Sequence, residues 1–164
     1  MNWTALSTVV DILGVLALLV TLVYLAKQTR QNGDAIRANT RQAILASDQE
    51  LLNGLRDDPE LELMRYRSNL TDHEKIRLGF LYLTFARMRE SNWFQYQNGV
   101  LDSSTWESYR NALVVMYRTP NGMKWWENYT SRSGILSKAF VSMVNELLEG
   151  APLATEPRSL RAFD

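Results

Sequence analysis

The chain of 164 residues contains no cysteine. Disulfides, thiolate zinc sites and thiol catalysis are therefore excluded, and a reducing compartment is compatible with the sequence. Histidine occurs once, at His73, so the two-histidine helical spacing of zinc enzymes is missing. Glu60, Glu62, His73 and Glu74 could be drawn as a metal site, but Glu74 is better used as a helix cap. No metal and no cofactor is expected. Eighteen basic residues balance eighteen acidic ones. A nucleic-acid surface would need a basic excess, so no nucleic-acid partner is expected. No Gly-rich phosphate loop and no nucleophile elbow with a His–acid pair occurs, so no catalytic residue is assigned. Alternating strand patterns of useful length, internal repeats and low-complexity tracts are also missing.

Basic residues are missing from one further place: none precedes Lys27. What fills that stretch is apolar. From Ile12 to Tyr24 every residue is apolar except one Gly and one Thr. A bilayer core takes roughly 20 residues of helix, and Trp3 to Ala26 meets that length, with Trp3 and Tyr24 at interfacial positions. A secretory signal needs a basic start and a small-x-small cleavage site, and neither occurs here. The expectation is an uncleaved membrane helix over residues 1–27. Lys27, Arg30, Arg37 and Arg41 follow it against one acid, Asp34. The positive-inside bias then predicts a single-pass inner (cytoplasmic) membrane protein, with its N-terminus outside and its C-terminal domain in the cytoplasm.

The rest reads as helix. Ile36, Thr40, Ala43, Ile44, Ser47, Leu51 and Leu55 recur at three- and four-residue steps and predict a helix over 34–56; Gly33 is the point where it either breaks from or continues the membrane helix. Asp58-Pro59 reads as an N-cap and first helical position. Thr71-Asp72-His73-Glu74 is a capping box that opens a long helix to about Gln97, with Gly99 fitted to the left-handed position after it. Asp102 or Ser104 caps the next helix, Thr119-Pro120 starts another, and Ser137 starts the last, which Gly150 ends. Leu78, Phe80, Leu81, Leu83, Phe85, Ala86 and Met88 surround the long helix, which implies burial among neighbours. The predicted fold is all-α: the membrane helix, then a cytoplasmic antiparallel bundle of five or six helices over 28–149, then a disordered tail over 150–164.

Two groups of residues are candidate sites. Thr4, Ser7, Asp11, Gly14, Leu18, Thr21, Leu25 and Gln28 are separated by alternating steps of three and four, so they share one seam of a helix. Small and hydroxyl residues let membrane helices approach and hydrogen-bond, and an ionisable Asp11 at membrane depth is costly unless paired or near the interface. Ser7, Asp11, Gly14 and Thr21 are the candidate association surface. Arg87 and Glu90 lie three apart on the central helix, either as an ordinary ion pair or as the polar lining of a pocket. Trp125 and Trp126 diverge by about 100° on a helix, so one of them faces away from the core, toward a partner, the membrane or a groove.

Several stretches together resemble a group of small bacterial membrane proteins of unknown function, with one N-terminal membrane helix and a helical cytoplasmic part. They are Leu22-Val-Tyr-Leu-Ala-Lys-Gln-Thr-Arg-Gln-Asn32, Arg56-Asp-Asp-Pro-Glu-Leu61, Phe85-Ala-Arg-Met-Arg-Glu90, Phe94-Gln-Tyr-Gln-Asn-Gly-Val-Leu-Asp102 with Trp106, and Pro120-Asn-Gly with Trp125-Trp126-Glu127. The likeness spans residues 15–149. Ser103, Ser104 and Thr105 depart from the charged residue expected after Asp102. The resemblance implies an architecture and no mechanism. The expected role is a membrane-anchored interaction or accessory protein whose partners are the lipid bilayer and either another protein or a second copy. The competing expectation is a membrane-tethered ligand sensor or enzyme with a pocket near Arg87, Glu90 and the tryptophans.

Overall fold

Side-chain caps set four of the six helix starts in the computed structural model, which describes residues 3–157. The helices are α1 (Trp3–Asp57), α2 (Glu60–Met64), α3 (Asp72–Gln97), α4 (Ser103–Tyr117), α5 (Pro120–Ser133) and α6 (Lys138–Glu149). Among the described residues there is no strand, so the chain is all-α. Thr71 and Glu74 form the expected reciprocal box: the Glu74 N–H donates to Thr71 Oγ1 at 3.3 Å, and the Thr71 N–H to Glu74 Oε2 at 2.8 Å. Asp102 accepts from the Thr105 N–H at 2.8 Å, Thr119 from Gly122 at 3.2 Å, and Ser137 from Phe140 at 3.4 Å. Each cap satisfies an N–H that the first turn leaves without a partner. Gly99 takes the left-handed conformation after α3, with φ +69°. Gly122 is required for space instead. A Cβ there would fall 2.7 Å from both Thr119 Oγ1 and Tyr117 O.

Two expectations about boundaries change. The segment 34–56 is not a separate helix, because α1 runs unbroken through Gly33. One interior glycine costs a helix only about 1 kcal/mol, which the good helix formers Lys27, Gln28, Arg30 and Gln31 before it and Ala35, Arg37 and Ala38 after it offset. Asp58 does not cap α2. Its carboxylate pairs with Arg77 of α3, and Pro59 precedes the helix with no side-chain cap.

The chain divides into two compact units, one ending at Gln42 and the other beginning at Ala43. The first holds the apolar stretch of α1 and the basic stretch that follows it, to Gln42. Its large hydrophobic side chains from Ile12 to Leu25 are 50–70% exposed, and Thr21 returns its hydroxyl to Ala17 O at 2.9 Å.

The second unit comprises residues 43–57 of α1 together with α2 to α6. Its core joins Met64, Leu81, Phe85, Leu113, Trp126 and Phe140, with Leu51 and Leu55 packed against it. Two arginines are buried among these helices. Arg89 pairs with Asp48 at 2.9 Å and lies over the rings of Phe85 and Tyr109, at 4.7 and 4.5 Å from their centroids. Arg65 pairs with Glu62 and donates to the carbonyls of Val115 and Met116, which end α4. Asn121 answers that contact. Its amide donates to Met64 O at 2.7 Å and Arg67 O at 2.8 Å, and its N–H to Arg65 O at 3.2 Å. The end of α2 and the α4–α5 turn thus satisfy each other's free carbonyls. Of the tail expected to be disordered, residues 158–164 lie outside the described residues. In the part before them, the Ala154 N–H donates to Arg118 O at 2.7 Å and Pro157 is buried.

Candidate functional site

Arg87, Glu90, Trp125 and Trp126 do not form one pocket. Glu90 is buried, 4% exposed. It accepts from the Ser137 N–H at 2.6 Å and from Arg87 at 2.9 Å, and Arg87 also donates to Ile135 O at 3.1 Å. The pair therefore ties α3 to the loop entering α6, with a carboxylate at the positive end of that helix. Trp126 is in the core, 2% exposed, and donates to Asn145 of α6 at 2.8 Å. Its remaining edge meets a separate hollow of about 590 Å³ beside Glu127 and Glu149. Trp125, one residue earlier, is half-buried on another side of α5. The divergence expected of neighbouring helical residues thus separates them.

Trp125 lines a groove of about 610 Å³ between α3 and α5. On α5 the lining positions are 121, 124, 125, 128, 129 and 132; on α3 they are 75, 78, 79 and 82. Both sets step by three and four, so each is one helical face. Gly79 keeps α3 open opposite the indole: a Cβ there would sit 3.6 Å from Trp125 Nε1. The Trp125 ring is stacked on Tyr129, with centroids 4.6 Å apart at 13°, and nearly parallel to Tyr117, at 5.9 Å and 9°. Tyr82 adjoins it at 5.4 Å. These rings hold the indole orientation and leave its N–H with no partner among the described residues. No family model, no curated protein and no solved structure matches the chain.

The groove is lined by three cations and no acid. Lys75 is paired with Asp72 at 2.9 Å, whereas Lys124 and Arg132 form no ion pair among the described residues. Tyr82 is not a base near neutral pH: burial pushes its phenol up to about 12, and the hydrogen bond to Thr119 only partly opposes this. Burial, then the neighbouring Tyr82, raises the Tyr117 phenol well above its ordinary value. The Tyr117 hydroxyl donates to Tyr82 O at 2.8 Å. Nucleophile and base are not assembled here; what the groove offers is an apolar and aromatic lining, one N–H donor and unpaired positive charge. No group of three His, Asp or Glu that could hold a metal occurs among the described residues. Glu60 and Glu74 are engaged by Arg67, and Glu62 by Arg65. Lys124 and Arg132 were missed in the sequence because a lone cation on a helix face is ordinary; the stepped stripe that places them beside Trp125 was the available signal.

Ser7, Asp11, Gly14 and Thr21 all lie on α1 and are exposed. Nothing comes within 4 Å of a Cβ placed on Gly14. The side chain of Thr4, the first position of the seam, lies outside the described residues.

Proposed function

We propose that this chain is a membrane-anchored interaction protein. The observation that carries the reading is the exposure of α1. It is long and apolar enough to cross a membrane, and the large apolar side chains from Ile12 to Leu25 are at least half exposed. Soluble proteins rarely leave a contiguous apolar surface beyond a few hundred Å² uncovered, and a bilayer covers such a surface at no cost to the fold. The basic residues Lys27, Arg30, Arg37 and Arg41 favour a single pass through an inner (cytoplasmic) membrane with the helical domain inside. Ser7, Asp11, Gly14 and Thr21 form the face through which the span associates with a second copy or another membrane helix, because small residues permit close backbone approach.

The test is fractionation followed by crosslinking. The full chain is expected to stay with membranes through a carbonate wash, and crosslinking in mild detergent is expected to trap a complex that Asp11→Leu and Gly14→Leu weaken. Release into the supernatant refutes the anchor. Equal crosslinking of parent and both variants refutes the seam.

A further inference from the structure

We infer that the groove between α3 and α5 binds a small organic carboxylate with a planar apolar body. The inference goes beyond membrane anchoring and does not depend on it, because every lining residue belongs to the second unit. Four observations converge. The hollow, at about 610 Å³, is in the range of small-molecule sites, roughly 300–1,000 Å³. Leu70, Leu78 and Tyr82 give it an apolar lining. Lys124 and Arg132 line the same groove with no ion pair among the described residues and no acid in the lining, so an anion entering it meets uncompensated positive charge. The Trp125 N–H is a donor with no acceptor among the described residues, on an indole packed against the rings of Tyr129 and Tyr117. A carboxylate is flat, accepts from several donors at once and matches a guanidinium fork. A cation would be repelled, and a purely apolar ligand would leave the N–H unsatisfied. The indole N–H edge lies beside Gly79, and the ligand meets Trp125 at that edge.

The experiment uses the full chain, ¹⁵N-labelled, in detergent micelles, with the Trp125 indole N–H resonance assigned by Trp125→Phe. The probe is 2-naphthoate; its neutral isostere 2-naphthamide controls for partition into the micelle. Naphthoate is expected to shift the Trp125 signal and to bind about tenfold more tightly than the amide. Replacing the exposed Lys124 and Arg132 with Gln should weaken naphthoate binding roughly two- to fivefold each and leave the amide unchanged. Gly79→Leu, which fills the groove, should abolish both. Equal affinity for acid and amide overturns the inference, as do a shift confined to the other tryptophans, indifference to the double Gln variant, or no response to naphthoate at about 1 mM, a weak-binding limit. Membrane retention of the same sample, measured separately, keeps failure of the groove distinct from failure of the anchor.

Discussion

Glu90 is the sharpest place to ask whether the polar residues of the central helix are structural. Three losses add up in Glu90→Ala. The part-buried Ser137 N–H loses an acceptor at 2.6 Å; an unsatisfied donor costs about 1–3 kcal/mol when buried, and about 2 kcal/mol is taken for this half-buried one. The favourable carboxylate at the N-terminus of α6 disappears, at about 0.3–1 kcal/mol. The pair with Arg87 is lost too. Because the Arg87 side chain is 56% exposed, solvent screening limits that contribution to under about 1 kcal/mol. The sum is about 3 kcal/mol. Glu90→Gln keeps an oxygen for Ser137 and should cost only about 1 kcal/mol, and Arg87→Ala about the same. The assay is urea unfolding of the full chain in detergent, followed by the fluorescence of Trp93, Trp106, Trp125 and Trp126, all in the second unit. A Glu90→Ala variant within 1 kcal/mol of the parent, or one no worse than Glu90→Gln, would refute the tie between α3 and α6.

Gly79→Ala is expected to stabilise by about 0.5–1 kcal/mol, the helix-propensity difference, since the added Cβ meets Trp125 at ordinary contact distances of 3.6 and 4.0 Å; a lower unfolding midpoint would show that the groove is narrower than described. Alkaline titration should find two late phenols. Because the folded values of Tyr82 and Tyr117 lie above the ordinary 10.0, their stabilising contribution is full below pH 10 and is lost as pH rises toward 12. Ultraviolet absorbance should therefore show their ionisation coinciding with unfolding, and ionisation of all seven tyrosines near pH 10 with the fold intact would contradict their burial.

The helix starts were legible because their causes are local. Thr71 with Glu74, Asp102, Thr119 and Ser137 each bond a backbone N–H three residues on, a distance that sequence spacing encodes directly. The separation of Trp125 from Trp126 followed from helical geometry in the same way. Contacts across long separations were not legible. Arg65 reaches carbonyls 50 and 51 residues away, and Asp58 left its expected capping role for Arg77, 19 residues on. Arg89 was visible only as a cation beside Glu90, yet it carries the buried pair with Asp48. The groove was half legible: each stripe is present in the sequence, but that α3 and α5 face each other is decided by the packing of all the helices together.

The pairing of Asp48 with Arg89 has a consequence for how separable the anchor is. Residues 43–57 continue the same helix as the apolar stretch, yet Leu51 and Leu55 form part of the wall of the C-terminal unit, and Asp48 is the counter-charge of an arginine side chain only 7% exposed. A foreign anchor grafted upstream of Gln42 leaves that wall whole. Grafted at the helix end, Asp57, it strips away the wall and strands a guanidinium in the interior, a loss of several kcal/mol. The natural point of exchange therefore lies within a helix, and secondary-structure boundaries are the wrong guide to where one inheritable piece ends and the next begins.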